Sequence, residues 1–307
     1  MSTYTYNNTV YYYIPATIRN VTVTSQEIVP VAAFKGCSFI TSVSIPSSST
    51  LVSGYAFESC SGLTSLSGSG LNVPSTVTSI GDYAFSGCSS AASLSVGPST
   101  ASIGAHAFES CSSMASASLS EGLLTIGDYA FSKSGLLSVE IPSSATSIGA
   151  NAFQSCTSLS SVSFASSPSL ISIGAYSFDG CALISSFGSS ESGHVSVPSS
   201  VTSIGDYAFR GMTLATDLVV PDSVTSIGLA AFKGCESLVN VTLPFVGASA
   251  SAARSSAVFG YIFGRTVYYS HGSYNSGTVT GFSDSGVNLD QGDFVNTKYG
   301  TAPTGTT

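Results

Sequence analysis

Nine phenylalanines placed at a nearly constant interval constrain this chain more than any other feature. They are Phe34, Phe57, Phe85, Phe108, Phe131, Phe153, Phe178, Phe209 and Phe232, separated by 23, 28, 23, 23, 22, 25, 31 and 23 residues. Other residue types keep fixed places around them. Five positions before each lies Ile or Val, and one before lies Ala, except at Ser177. Three after lies Cys in seven of the nine: Cys37, Cys60, Cys88, Cys111, Cys156, Cys181 and Cys235, with Ser134 and Met212 in the other two places. A 23-residue unit offers roughly five inward side chains, on the order of 10 kcal/mol gross. Ordering its backbone costs more, at about 1–2 kcal/mol per residue. One unit therefore cannot fold alone, and stacked neighbours must supply the balance.

The local pattern says how each unit runs. In Ser42-Val43-Ser44-Ile45 the apolar residues alternate, which is the signature of a half-buried strand. A proline near 46, 98, 142, 221 or 244 then removes a ladder donor and ends the strand. The phrase Ile-Gly-Asp-Tyr-Ala-Phe, at 80–85, 126–131 and 204–209, turns the chain, and its glycine is expected to serve a tight bend. Two longer intervals insert Gly68 to Leu71 and Ser189 to His194, both expected to protrude along one edge of the stack.

These residues resemble the BspA-like leucine-rich repeats, whose pattern is close to Ile-Gly-x-x-Ala-Phe-x-x-Cys-x-x-Leu-x-x-Ile-x-Leu-Pro. The 23-residue step lies within the 20–29 of leucine-rich repeats. The resemblance covers about 28–244 and implies an α/β-type solenoid, mostly β. It would be right-handed, with a parallel sheet on the concave face and irregular convex turns. Residues 1–27 read as an N-terminal partial repeat or cap, and 245–307 as an irregular C-terminal cap or truncated insertion. Leu243 to Gly247 with Phe259 to Gly264 is similar to an insertion found in bacterial members. Thr9 to Pro15 is similar to its closing half, and Thr266 to Tyr269 echoes it. Family members are typically surface or secreted proteins associated with adhesion, and the resemblance brings no catalytic residues.

Composition narrows the partners. Only 8% of residues are charged, against about 25% in a typical soluble protein, and 66 of 307 are serine. A net charge of −8 with eight Lys and Arg argues against nucleic acid or an anionic membrane surface. No run of 18 apolar residues exists for a transmembrane helix, and the polar start shows no signal peptide. The cysteines recur once per coil, too far apart for the short ligand spacing of a zinc site. Neighbouring coils about 4.8 Å apart also separate them slightly too far for disulfides. Buried free thiols are expected, with no metal and no cofactor. His106, His194 and His271 share no motif with a nucleophile, so no catalytic site is assigned. Asp82, Asp128 and Asp206 read as turn-stabilising.

A leucine-rich repeat usually binds through its concave strands, so outward strand positions are the candidate site: Ser95, Ser116, Ser118, Ser138, Glu140, Ser161, Ser163, Asp217 and Asn240. A flat, hydroxyl-covered surface suits weak multivalent contact with a protein or glycan on a host, matrix or neighbouring cell. Two alternatives stand beside a surface adhesion module. One is a solvated face on a passive spacer or envelope component; the other is a hydrolase hidden among the serines.

Overall fold

The computed structural model describes residues 3–6, 9–12, 14–252 and 259–264. The chain winds as a solenoid of about ten turns whose coils pair in two parallel sheets. The long sheet has twelve strands, from Asn20–Thr22 to Asn240–Thr242; the short sheet has nine, from Ile28–Val29 to Ser226–Ile227. Strand order follows chain order in both. A separate antiparallel hairpin joins Thr3–Tyr6 to Thr9–Tyr12. Among the described residues there is almost no helix, the 3-10 turn Phe259–Tyr261 being an example, so the solenoid is built of strands and turns where an α/β-type solenoid would carry helices. The side expected to be irregular carries the short sheet. Its Ser/Thr-Ile pairs sit in register, as in Ser102 to Ser79 and Ile103 to Ile80. That pairing satisfies backbone groups that an irregular turn would leave to water.

The core is a ladder of like residues. Successive core phenylalanine rings lie 5.0–5.8 Å apart, with planes within 11° of parallel. The widest step, Phe178 to Phe209, spans the 31-residue interval, and Phe187 fills it edge-on to both rings. Phe34, at the start of the column, is half-buried; the eight after it are fully buried.

The glycine of the Ile-Gly-x-x-Ala-Phe phrase has another role than the expected bend. Its φ is ordinary, and the left-handed residues lie two before and two after each phenylalanine, as at Tyr129 (56°) and Lys133 (57°). What the glycine supplies is close approach between coils. A Cβ on Gly149 would sit 2.6 Å from the Asp128 nitrogen and from its Oδ1. The aspartates also act between coils: Oδ1 of Asp82, Asp128 and Asp206 accepts the N–H of Ala105, Ala150 and Leu229 in the next coil at 2.7–2.8 Å. Gly149→Ala should therefore destabilise by about 1–3 kcal/mol, as overpacking does. At an unobstructed site of ordinary φ the same change stabilises by about 0.4–1 kcal/mol. Urea titration of the variant beside the parent checks the sign.

The two insertions do not protrude. Gly70–Asn72 pairs with Ser65–Leu66 on one side and Ser93–Val96 on the other. His194–Ser196 likewise lies between Ser186–Phe187 and Asp217–Val219. Each insertion thus adds a strand to the long sheet, while the short sheet passes straight from Leu51–Val52 to Ser79–Ile80 and from Ser172–Ile173 to Ser203–Ile204. Leu71 and Val195 decide this, because both are apolar and both enter the core. At the far end Ala248, Tyr261 and Ile262 accept N–H groups of Ile227, Ala230 and Phe232, and Ile262 is fully buried. Residues 245–252 and 259–264 cover part of the last coil. Thr266 to Tyr269 lies outside the described residues.

Candidate functional site

The proposed sheet positions fall into two groups. In the first, parallel pairing sets Ser116 between Ser93 and Ser138, and Ser138 beside Ser161. A second column two residues along sets Ser95 beside Ser118 and Glu140 beside Ser163. Ser95, Ser116, Ser118, Ser138, Glu140 and Ser163 are exposed and Ser161 is partly so, because their neighbours Leu94, Val139 and Val162 take the inward places. Among the described residues no hydrogen bond occupies these six serine hydroxyls. One residue earlier on the strand the situation reverses: Thr64, Ser160 and Ser185 donate to carbonyls of the preceding coil. A shallow open depression of about 290 Å³ lies at the centre of the first group, lined by Ser116 to Leu119 and Ser138 to Glu140. Ala117 stands there where the flanking strands carry Leu94 and Val139, which thins the floor.

Asp217 and Asn240 form the second group, separated from the first by the strands Ser186–Phe187 and His194–Ser196. The added strand places His194 beside Asp217, 3.8 Å away, and Glu191 lies 3.3 Å from the same ring nitrogen. Thr216 and Asn240 each donate to the Asp217 carboxylate at 2.7 Å and hold its pKa below the usual range. Sequence reasoning missed His194, since its partner lies 23 residues ahead in another coil. Among the described residues no cluster of His, Cys, Asp or Glu is arranged to hold a metal.

The cysteines are free thiols; six are buried and Cys235 is half-buried, in the last coil that carries the motif. Each buried thiol from Cys60 onward, and Cys235 too, donates to the carbonyl of a core phenylalanine one coil back, at 2.9–3.4 Å. Cysteine suits the place because it is a small apolar residue with a weak donor.

A third feature lies on the turn edge, two positions before the core phenylalanine. Tyr55, Tyr83, His106 and Tyr129 stack at 5.0, 4.3 and 4.6 Å, and Tyr176 and Tyr207 stack at 4.8 Å. The rings are partly exposed, and charged groups line them. Lys35 lies over Tyr55, and Arg210 lies against Tyr176 and Tyr207 while held by both oxygens of Asp179 at 2.6 and 2.8 Å. His106 Nδ1 is 2.7 Å from Glu109. The recurrence of aromatic residues at this one repeat position was the signal available in the sequence.

Among the described residues no helix is long and apolar enough to cross a membrane. No curated relative matches the chain. Solved structures similar to it include a leucine rich cell surface protein from Faecalibacterium prausnitzii, 20% identical, covering 87% of this chain and 99% of that one at a TM-score of 0.40. A leucine rich repeat protein from T. pallidum is 28% identical over 64% of this chain and 78% of its own, at 0.45. The pneumococcal vaccine antigen PcpA is 15% identical over 80% and 82%, at 0.44. The assignment rests on the repeats themselves: the profile described as BspA type leucine rich repeat region, in six copies, matches residues 5–69, 26–160, 65–185 and 184–250. With its core ladder of Ile, Ala, Phe and Cys, the chain belongs to the BspA-type leucine-rich repeat family.

Proposed function

We propose that this chain is a non-catalytic binding or adhesion module of the cell surface or exterior. Its ligand is a protein or glycan that lies across the outward face of the long sheet. The residues that would meet it are Ser95, Ser116, Ser118, Ser138, Glu140, Ser161 and Ser163, with Asp217 and Asn240 at the far end. The observation that carries this reading is the central depression, where hydroxyls unengaged by the protein surround one carboxylate, Glu140. Such an array offers many weak, interchangeable hydrogen bonds and suits multivalent contact. The surface setting draws its support from the family. A right-handed winding with this sheet on the inner side of an arc belongs to the same reading. The two added strands lengthen the sheet by roughly 10 Å relative to the opposite one, which works against strong inward curvature. A broad, shallow contact fits better than a deep embrace.

The test is a glycan and matrix-protein array probed with the parent and with Ser118→Arg combined with Ser163→Arg. Both side chains point outward, so the pair should keep the parent's thermal stability. It should weaken binding at least tenfold by blocking close approach, whereas Ser172→Arg on the short sheet should change nothing. Unchanged binding by the arginine pair would overturn the face assignment. A parent that binds nothing on the array would leave the chain as a passive spacer.

A further inference from the structure

Between Tyr55 and Tyr207 the aromatic edge lacks one ring, and Ala32 and Ala230 bound it at either end. Coil by coil the column reads Tyr55, Tyr83, His106, Tyr129, Asn151, Tyr176, Tyr207, and the stacked pairs within it are parallel to within 13°. Asn151 has the same φ as Tyr129 and Tyr176, 56° at all three, so its side chain starts from the equivalent place. Tyr129 and Tyr176 are two coil steps apart, about 9.6 Å at the spacing of paired strands. A six-membered ring set midway would lie about 4.8 Å from each, within the range the column already uses. Among the described residues the Asn151 carboxamide has no hydrogen-bond partner, which leaves two donors and an acceptor at this level of the column.

We propose that the interval between Tyr129 and Tyr176, with Asn151 at its base, is a slot for one pyranose ring of a neutral saccharide. The two tyrosine faces would meet the C–H faces of the sugar, and the carboxamide would bond its hydroxyls. The chain's charge and two physical arguments select this occupant. A nucleotide would bring phosphates to a chain of net charge −8. The aromatic side chain of a partner protein would present a largely carbon edge to Asn151 and leave the carboxamide unpaired, which costs free energy on burial. A saturated ring is also thicker than an arene and fills an interval of two coil steps more fully. The slot lies on the turn edge, away from the outward face of the long sheet, and goes beyond the function proposed above.

The experiment titrates the full chain with neutral oligosaccharides of glucose, galactose, mannose and N-acetylglucosamine, and separately with N-acetyltyrosinamide. Saturation-transfer NMR detects binding and identifies the ligand protons in contact, and the Tyr129 and Tyr176 variants place that contact on the column. At least one saccharide should saturate the parent. Asn151→Tyr should abolish that binding and raise the melting temperature, because it completes the stack with a ring of the chain's own. Tyr129→Leu and Tyr176→Leu should each weaken binding at least tenfold, which tests the site even if Asn151→Tyr fails to fold. The Ser118→Arg, Ser163→Arg pair should bind the saccharide like the parent, separating this slot from the sheet face. The proposal is overturned if no saccharide saturates, if Asn151→Tyr binds as the parent does, or if N-acetyltyrosinamide is the better ligand.

Discussion

Raising the pH from 8 to about 10.5 is expected to unfold the solenoid, through its thiols. Burial pushes Cys60, Cys111 and Cys235 up to about 12 and Cys88 well above the ordinary thiol range. In the unfolded chain the same thiols ionise near 8.5. Below that value both states hold the protons and stability does not change. Above it the unfolded state releases protons that the folded state keeps, so stability falls by about 1.4 kcal/mol per pH unit for each thiol until the folded pKa is reached. Four thiols over two units amount to a loss on the order of 10 kcal/mol, comparable to the whole stability of a domain. Circular dichroism against pH should show the transition, and thiol alkylation should follow it. Before the transition only half-buried Cys235 should react, and slowly; after it all seven should. Cys88→Ala with Cys111→Ala should move the midpoint to higher pH. A chain still folded at pH 11 with silent buried thiols would refute this account.

Phe153→Ala is the substitution expected to cost most. Phe153 is fully buried, and its ring stacks at 5.4 Å on Phe131 and 5.2 Å on Phe178. Removing it leaves a cavity that neither neighbour can fill, because the coil backbones are held apart by continuous parallel ladders on both sides. Truncations of this kind cost about 3–5 kcal/mol. In a stack where each coil touches only its neighbours, a weakened central interface also uncouples the two halves. The single denaturation transition should then split, with the coils before Phe153 and those after it melting at different urea concentrations. Phe34→Ala, at the half-buried end of the column, should cost less and leave one transition. If Phe153→Ala and Phe34→Ala lose the same stability, the stacked column is not the cooperative element of this fold.

The repeat was legible because every coil solves the same packing problem with the same residues. Ile80, Ala84, Phe85 and Cys88 recur as Ile103, Ala107, Phe108 and Cys111, and all eight are buried as their spacing predicts. The alternation around Val43, Leu94 and Val139 likewise placed the outward serines correctly, since a strand sends successive side chains to opposite faces. The role of Gly149 was not legible, because what obstructs a Cβ there is Gly127 and Asp128 of the preceding coil, reached only once the coils are stacked.

By itself, then, the sequence determined the period, the inward residues, the free thiols and the family, all of which follow from local spacing repeated often enough to leave one solution. Tertiary structure alone decided that Gly70–Asn72 and His194–Ser196 become strands of the sheet instead of loops outside it. It also decided that Asp128 caps the next coil, that His194 meets Asp217, and that Tyr129, Asn151 and Tyr176 take the same left-handed backbone conformation in successive coils. Each of these joins residues in different coils. The energy that fixes them comes from contact between coils, which no single 23-residue unit contains.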